Sequence, residues 1–348
     1  MAVLNRLRST FPLSGVVRAG KLTKELLRRC SANEVLVISH RDLDESAATQ
    51  LMDVRPAAII NTEPSISGAY PVKGALQLLQ AGIPLLETSA NDFEKFLEGE
   101  EAIIESQAIR SGGYVIPCSV VTLERCSRVY ERAVGQMDKL LLGFIANTLT
   151  YAEIEIAEVV RAHECPPLNV TIANRPVVVV SRGNGALNDL LVIAEFIRER
   201  KPVLIGVDGG ADILRKAGFS PDLIVGDMDS VSDAALRGGA ELVVHAYGSG
   251  NAPGLDRLVR LGLYAQAMRT PGTSEDMALL LAYGAEAELI VTVGMHTHMV
   301  EYLEKGRCGM GSTLLVRMLL GGRLVDAKGL SKLFKPKRRE AICELPFP

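Results

Sequence analysis

The chain has 348 residues, 48% hydrophobic and 23% charged, an ordinary balance for a soluble globular protein of two or three domains. A formal net charge of −3, an aromatic content of 5% and the absence of Trp leave neither a basic field nor stacking platforms, so no nucleic-acid partner is expected. The six cysteines (Cys30, Cys118, Cys126, Cys165, Cys308, Cys343) are scattered without a C-x-x-C pair, which predicts reduced thiols in a cytoplasmic protein. The opening "MAVLNRLRSTFPLSG" lacks the apolar core of a signal peptide. No window holds the roughly 18 uncharged apolar residues of a spanning helix.

In chain order, "GVVRAGK" at 15 to 21 matches the start of a P-loop. Leu22 stands where the magnesium-binding Ser or Thr is needed and no strong strand precedes it, so the match is read as chance. Short apolar runs at 34–38, 57–60 and 83–86, separated by helix-like segments, give the rhythm of an α/β unit. In "EAIIESQAIRSGGYVIP" the Gly112 and Gly113 pair predicts a turn between two strands. From Glu124 to Ala162, apolar residues at three- and four-residue spacing without Pro predict one long helix or two. The stripe "LLLGFIANTLTYAEIEI" within it suits either the chain's own core or the seam of a homodimer.

"ECPPLN" at 164–169 breaks that pattern and marks a boundary. Beyond it, Val/Ile/Leu runs at 177–181, 203–207, 222–226, 241–246, 288–294 and 323–327 alternate with helices at 186–199, 211–217, 232–237, 255–261, 274–282 and 312–319. Continuous apolar strands between helices imply a parallel sheet covered on both faces, with ligands at the carboxyl ends of its strands. The expected organisation is an α/β domain at 1–123, a helical connector at 124–165, a doubly wound domain at 166–334 and a basic tail at 335–348.

Polar groups collect at those strand ends: "SRGNG" (Arg182, Gly183, Asn184, Gly185), "DGGAD" (Asp208, Gly209, Gly210, Asp212), "GDMDS" (Gly226, Asp227, Asp229, Ser230) and "TSED" (Thr273, Ser274, Asp276). Glycine turns before helices offer N–H groups to phosphate, and carboxylates hold Mg²⁺, which bridges phosphate oxygens. Together they describe a metal-assisted polyphosphate site. Asp227 and Asp229, with no basic residue between 223 and 236, repel each other unless a cation or water separates them. Two plainer readings stand beside this: Gly209 and Gly210 serve a tight turn, and Asp276 closes a capping box begun by Thr273. His296 and His298 alternate after a strand; two such residues do not make a zinc site, and His296 reads as a loop histidine near phosphate.

The segment "DGGAD…GFSPDLIVGDMDSVSD" resembles the nucleotide-binding core of the thiamine pyrophosphokinase superfamily, whose metal-binding aspartates lie in G-D-x-D-S. "PSISGAYP", "GVDGGAD", "GDMDSVSD", "HAYGSGNAPGL", "GTSEDMALLLA", "VEYLEKGRCGMGSTLL" and "LVDAKGLSKLF" are similar to the bacterial SteA family of cytokinetic-ring proteins, from about residue 20 to 334. The resemblance implies metal or phosphate positions at Asp208, Asp227 and Asp229, with Asp276 matching a second acidic motif. It implies catalytic roles for Asp227, Asp229 and Asp276 wherever the domain is an active kinase. It also implies Mg²⁺ with ATP or another nucleotide or diphosphate as cofactors, and cell-division partners including a membrane protein that recruits the chain to the division site.

Departures limit the transfer. Where the pyrophosphokinases carry G-G-R-x-D-H, this chain has "GMHTHM", and thiamine is not expected as its substrate. SteA-like chains commonly end in membrane-spanning segments, whereas this sequence ends in "KPKRREAICELPFP", so anchorage is expected through a partner. "RPAAIINTEPSISGAYPVKGALQLLQAGIPLL" resembles the swivelling domain of phosphoenolpyruvate-utilising enzymes, yet no His lies between 41 and 162 to carry a phosphoryl group. Three readings follow: a SteA-like binder of Mg²⁺ and a diphosphate ligand, an ATP-dependent diphosphokinase (a transferase) acting on a small alcohol, and a scaffold with a vestigial site.

Overall fold

The computed structural model describes residues 11–21, 23–27, 29–161, 165–246 and 250–335. The expectations on the first ten residues, Leu22 and the tail beyond 335 lie outside these. The chain divides into two units, Met1–Leu142 and Gly143–Pro348.

In the first unit, the runs that lack alternation become central strands buried on both faces. These are β2 (Val35–Ile38), β3 (Ala58–Asn61) and β4 (Leu85–Glu87), parallel to one another and to β1 (Leu13–Gly20). Helices α1 (Thr23–Leu27), α2 (Glu45–Val54) and α3 (Gly74–Gln80) connect them. β5 (Glu101–Ile104), β6 (Ala108–Ser111) and β7 (Tyr114–Pro117) form an antiparallel meander beyond β1, and β8 (Ser119–Val120) pairs with β4. Gly112 (φ 56°) and Gly113 (φ 79°) make the β6–β7 turn. The P-loop-like "GVVRAGK" therefore lies in a strand, with Val17 wholly buried in the core, and not in a phosphate loop.

The connector is two helices, α4 (Leu123–Gly135) and α5 (Met137–Val160), separated at Gln136. Thr122 caps α4 by accepting from the Arg125 N–H. α5 has 24 residues and contains an 18-residue stretch of mean hydropathy 1.3, so by length and composition one helix among the described residues does suffice to cross a membrane, although it carries Asp138, Lys139, Glu153, Glu155 and Glu158. Core helices pass the same test. Phe144, Thr148, Ala152 and Val159 on this helix are buried, Val159 inside the core of the second unit. Leu142, Ile145, Leu149, Ile156 and Val160 form a separate exposed stripe.

The second unit is a seven-stranded, wholly parallel sheet in the order β13-β12-β11-β10-β9-β14-β15. Its strands are β9 (Pro176–Val180), β10 (Val203–Val207), β11 (Leu223–Gly226), β12 (Glu241–Ala246), β13 (Gln266–Arg269), β14 (Leu289–Val293) and β15 (Leu324–Asp326). Alternate residues of β9 enter opposite cores: Val177 and Val179 on one face, Val178 and Val180 on the other. The first face is covered by α11 (Ser274–Gly284), α13 (Gly311–Leu320) and the end of α5. The second is covered by α6 (Ala186–Val192), α7 (Ala194–Arg200) and α8 (Gly210–Lys216), with α9 (Asp233–Leu236) and α10 (Gly254–Arg260) over β11 and β12. α12 (Met299–Glu304) and α14 (Leu330–Leu333) complete the chain. This is the expected doubly wound α/β sheet. One difference is that the helix expected at 186–199 is two, divided at Ile193. Chain order runs outward from β9 to β13, then reverses to β14, so the switch point lies between β9 and β14, where open α/β sheets bind ligands.

Candidate functional site

The carboxyl ends of β9, β10, β11 and β14 bring most of the expected residues to one edge. Close backbone approach requires glycine there: a Cβ on Gly210 would stand 1.8 Å from the Val180 carbonyl oxygen, and one on Gly183 2.2 Å from that of Gly294. These glycines press the β10–α8 turn against the end of β9, and the β9–α6 turn against the end of β14.

Asp208 follows β10 with φ 46°, a left-handed conformation that costs a non-glycine residue on the order of 1 kcal/mol. It is held because its carboxylate lies over Gly226, where a Cβ would meet Oδ1 at 2.2 Å, and because Oδ1 accepts from the Met228 N–H at 2.9 Å. Burial, then the neighbouring Asp227 carboxylate, pushes Asp208 up to about 7, against hydrogen bonds from Met228 and the Ser274 hydroxyl. Asp227 Oδ1 accepts from the Asp229 N–H at 3.0 Å, closing a tight turn over buried Met228. Asp229 stands at the exposed rim, raised by burial and by Asp227 and eased by Arg257. Ser230 Oγ accepts from the Gly209 N–H at 3.1 Å.

Arg257 is a residue that the sequence reading missed. No base is near the acidic turn in sequence, but α10 delivers this guanidinium to the Met228 and Val231 carbonyls and to the Asp233 carboxylate. The turn is thus pinned from behind and its charge partly balanced.

Among the described residues no group of three or more His, Cys, Asp or Glu is gathered to hold a metal unaided. The donor set nevertheless fits Mg²⁺, which typically takes one or two carboxylates, keeps several waters and draws its remaining oxygens from phosphates. Asp208 and Asp227 are the pair that would hold it, and a cation would relieve the repulsion between them. Asp229 would stand at its edge.

Other expected residues have different work. Asp276 is 1% exposed at the start of α11, where it forms the capping box with Thr273 and accepts from Ser312 Oγ at 3.2 Å and Thr313 Oγ1 at 2.9 Å. Burial raises its carboxyl, and its Oδ1 has no partner. The plainer reading of this residue is therefore the one the structure displays, and a catalytic role meets the objection that Asp276 is sealed from ligand. Asp212 is occupied likewise, accepting from the Ser232 N–H and hydroxyl and so fixing the start of α9. Arg182, Asn184 and Gly185 are exposed at the β9–α6 turn, where Gly185 (φ 76°) precedes α6. His298 is exposed beside Glu301, 3.6 Å away.

His296 lies at the switch point with Glu275, a residue hidden in "TSED" behind its neighbour. Glu275 accepts from Ser181 Oγ at 2.6 Å, from the His296 N–H at 2.9 Å and from His296 Nδ1 at 2.7 Å. Burial pushes the Glu275 carboxyl up, but the His296 ring and the Ser181 hydroxyl together hold it below its ordinary value.

Residues 195–244 match the family described as thiamin pyrophosphokinase, catalytic domain. Among solved structures, a thiamine pyrophosphokinase from Bacillus subtilis is similar at 18% identity and a TM-score of 0.27, over 44% of this chain and 59% of that one. The chain thus spans less than two thirds of that protein. No curated protein matches the chain. The segment that holds Asp208, Asp227 and Asp229 is similar, over residues 195–244, to a thiamine pyrophosphokinase catalytic domain.

Proposed function

We propose that the second unit binds Mg²⁺ together with a nucleotide or another diphosphate at the carboxyl ends of β9, β10 and β11. The observation that carries this reading is Asp208, held in strained backbone beside the Asp227 carboxylate and pushed toward protonation by burial and by that neighbour. Bound there, Mg²⁺ would supply charge neutralisation for a diphosphate. The chain's own part is to hold the two carboxylates rigid, to offer the N–H groups of the 183–185 turn and of Gly210 to phosphate oxygens, and to keep the acidic turn in place through Arg257. The test is thermal melting with Mg²⁺ and ATP, ADP or inorganic pyrophosphate. At a ligand concentration about 100 times Kd the protein gains about 2.7 kcal/mol, whereas Asp227→Asn gains little. An Asp227→Asn variant with the full shift refutes the reading.

A second reading, transfer of the diphosphate from ATP to a small alcohol, is favoured by the match of residues 195–244. It yields AMP in proportion to acceptor, and its absence across an acceptor panel leaves a binder. The wider role proposed is that of a SteA-like cytoplasmic protein of cell division, brought to the division site by a membrane partner. It is supported by the sequence resemblance. Pairing of two copies is supported by the exposed apolar stripe of α5.

A further inference from the structure

Beside the acidic pair, the crevice has a half of opposite charge. Arg182 leaves β9 and lies across Gly209: a Cβ there would stand 3.1 Å from its Cδ and 3.2 Å from its Nε. The guanidinium therefore passes directly beside Asp208's own turn. On the other side of the switch point, Lys305 follows α12 and places Nζ 3.5 Å from the His296 ring. Burial depresses the Lys305 ammonium, Glu275 and Glu301 act to raise it, and Arg307 and Arg182 are near enough to lower it further. Among the described residues none of these three cations forms an ion pair. Elsewhere in this unit cations find carboxylates, as Lys328 does on Glu301 and Arg257 on Asp233.

Glu275 does not fill that place. Its two oxygens are taken by Ser181 and by the backbone and ring of His296. The short contact to Nδ1 assigns the proton there, which leaves Nε2 without a hydrogen-bond partner among the described residues. Arg182 and Lys305 repel one another and make no direct ion pair among the described residues, and at a ligand-binding crevice such a pair suits a bound anion.

We propose that Arg182 and Lys305 form an anion subsite for a phosphate group, separate from the Asp208–Asp227 pair and recognising phosphate by direct charge-assisted hydrogen bonds. The chemical class of ligand is a phosphate ester or diphosphate, one phosphate resting on the cations while its neighbour meets the metal-binding pair. This rests on the crevice being a diphosphate site, but it differs in requiring no metal for the first contact.

The experiment is titration calorimetry with inorganic pyrophosphate, first in EDTA and then with Mg²⁺, on the wild type, on Arg182→Ala/Lys305→Ala and on Asp227→Asn/Asp229→Asn. Expected is metal-free binding by the wild type that weakens with added salt, at least tenfold loss in the cation variant, and metal-free binding retained by the aspartate variant. Equal metal-free affinity in the wild type and the cation variant, or no metal-free binding at all, overturns the subsite and leaves the magnesium reading intact. If instead Mg²⁺ adds nothing and the aspartate variant behaves as wild type throughout, the magnesium reading fails and the cationic subsite stands.

Discussion

Asp208 makes the site's electrostatics measurable without any ligand. The folded protein keeps its proton up to about pH 7, while the unfolded chain releases it near the ordinary aspartate value of about 3.9. The folded state therefore binds more protons in that interval. Its contribution to stability is full below about pH 4 and is lost as pH rises through about 7. Asp208→Asn keeps the acceptor for the Met228 N–H and removes the titration. Urea unfolding is expected to show the variant more stable than the wild type by roughly 1–3 kcal/mol at pH 8 and nearly equal at pH 4. Asp276 behaves in the opposite way: its hydrogen bonds hold α11 to α13, so Asp276→Ala costs about 2–4 kcal/mol, combining a lost cap with orphaned buried donors. Calorimetry on the folded fraction is expected to find pyrophosphate affinity within twofold of wild type; a tenfold loss would restore Asp276 to the binding site.

At the level of elements, what could be read in advance was what local pattern encodes. The strands β9 to β12 and β14 are rich in Val, Ile and Leu without polar alternation because both faces of a parallel sheet are covered. β13, "QAMR", gave no such signal, since an edge strand with one buried residue needs no apolar run. β1 was obscured by Gly15 and Gly20, each in close contact with a neighbouring side chain. The acidic pair stood out because its members are two residues apart. Arg257, Glu275 and Lys305 did not, since tertiary folding alone brings them to Met228, Ser181 and His296 across intervals of 29, 94 and 9 residues. Lys305 is near His296 in sequence, but its meaning depends on its making no direct ion pair among the described residues, which no spacing encodes.

Across the whole molecule, the "ECPPLN" boundary raises the question of what the second unit needs to fold. Phe144 (2% exposed) meets Tyr302 at 6.4 Å between ring centroids, Thr148 Oγ1 accepts from the Met310 N–H, and Val159 lies in the sheet's core. A fragment of residues 143–334 is expected to unfold cooperatively in urea. One of residues 166–334, without these side chains, is expected to be several kcal/mol weaker, since losing a buried Phe alone costs about 3–5 kcal/mol. Equal midpoints for the two would show that α5 is dispensable. The sheet order has a further consequence, in time. β9 is made first yet lies in the interior, and Ser181 waits 94 residues for Glu275. During synthesis the aspartates therefore emerge before the crevice they serve, and a ligand that needs both halves finds nothing to hold until β14 has docked. Such a ligand cannot guide the early chain. Pyrophosphate with Mg²⁺ is expected to slow unfolding while leaving the refolding rate unchanged, as stopped-flow fluorescence of the tyrosines would record.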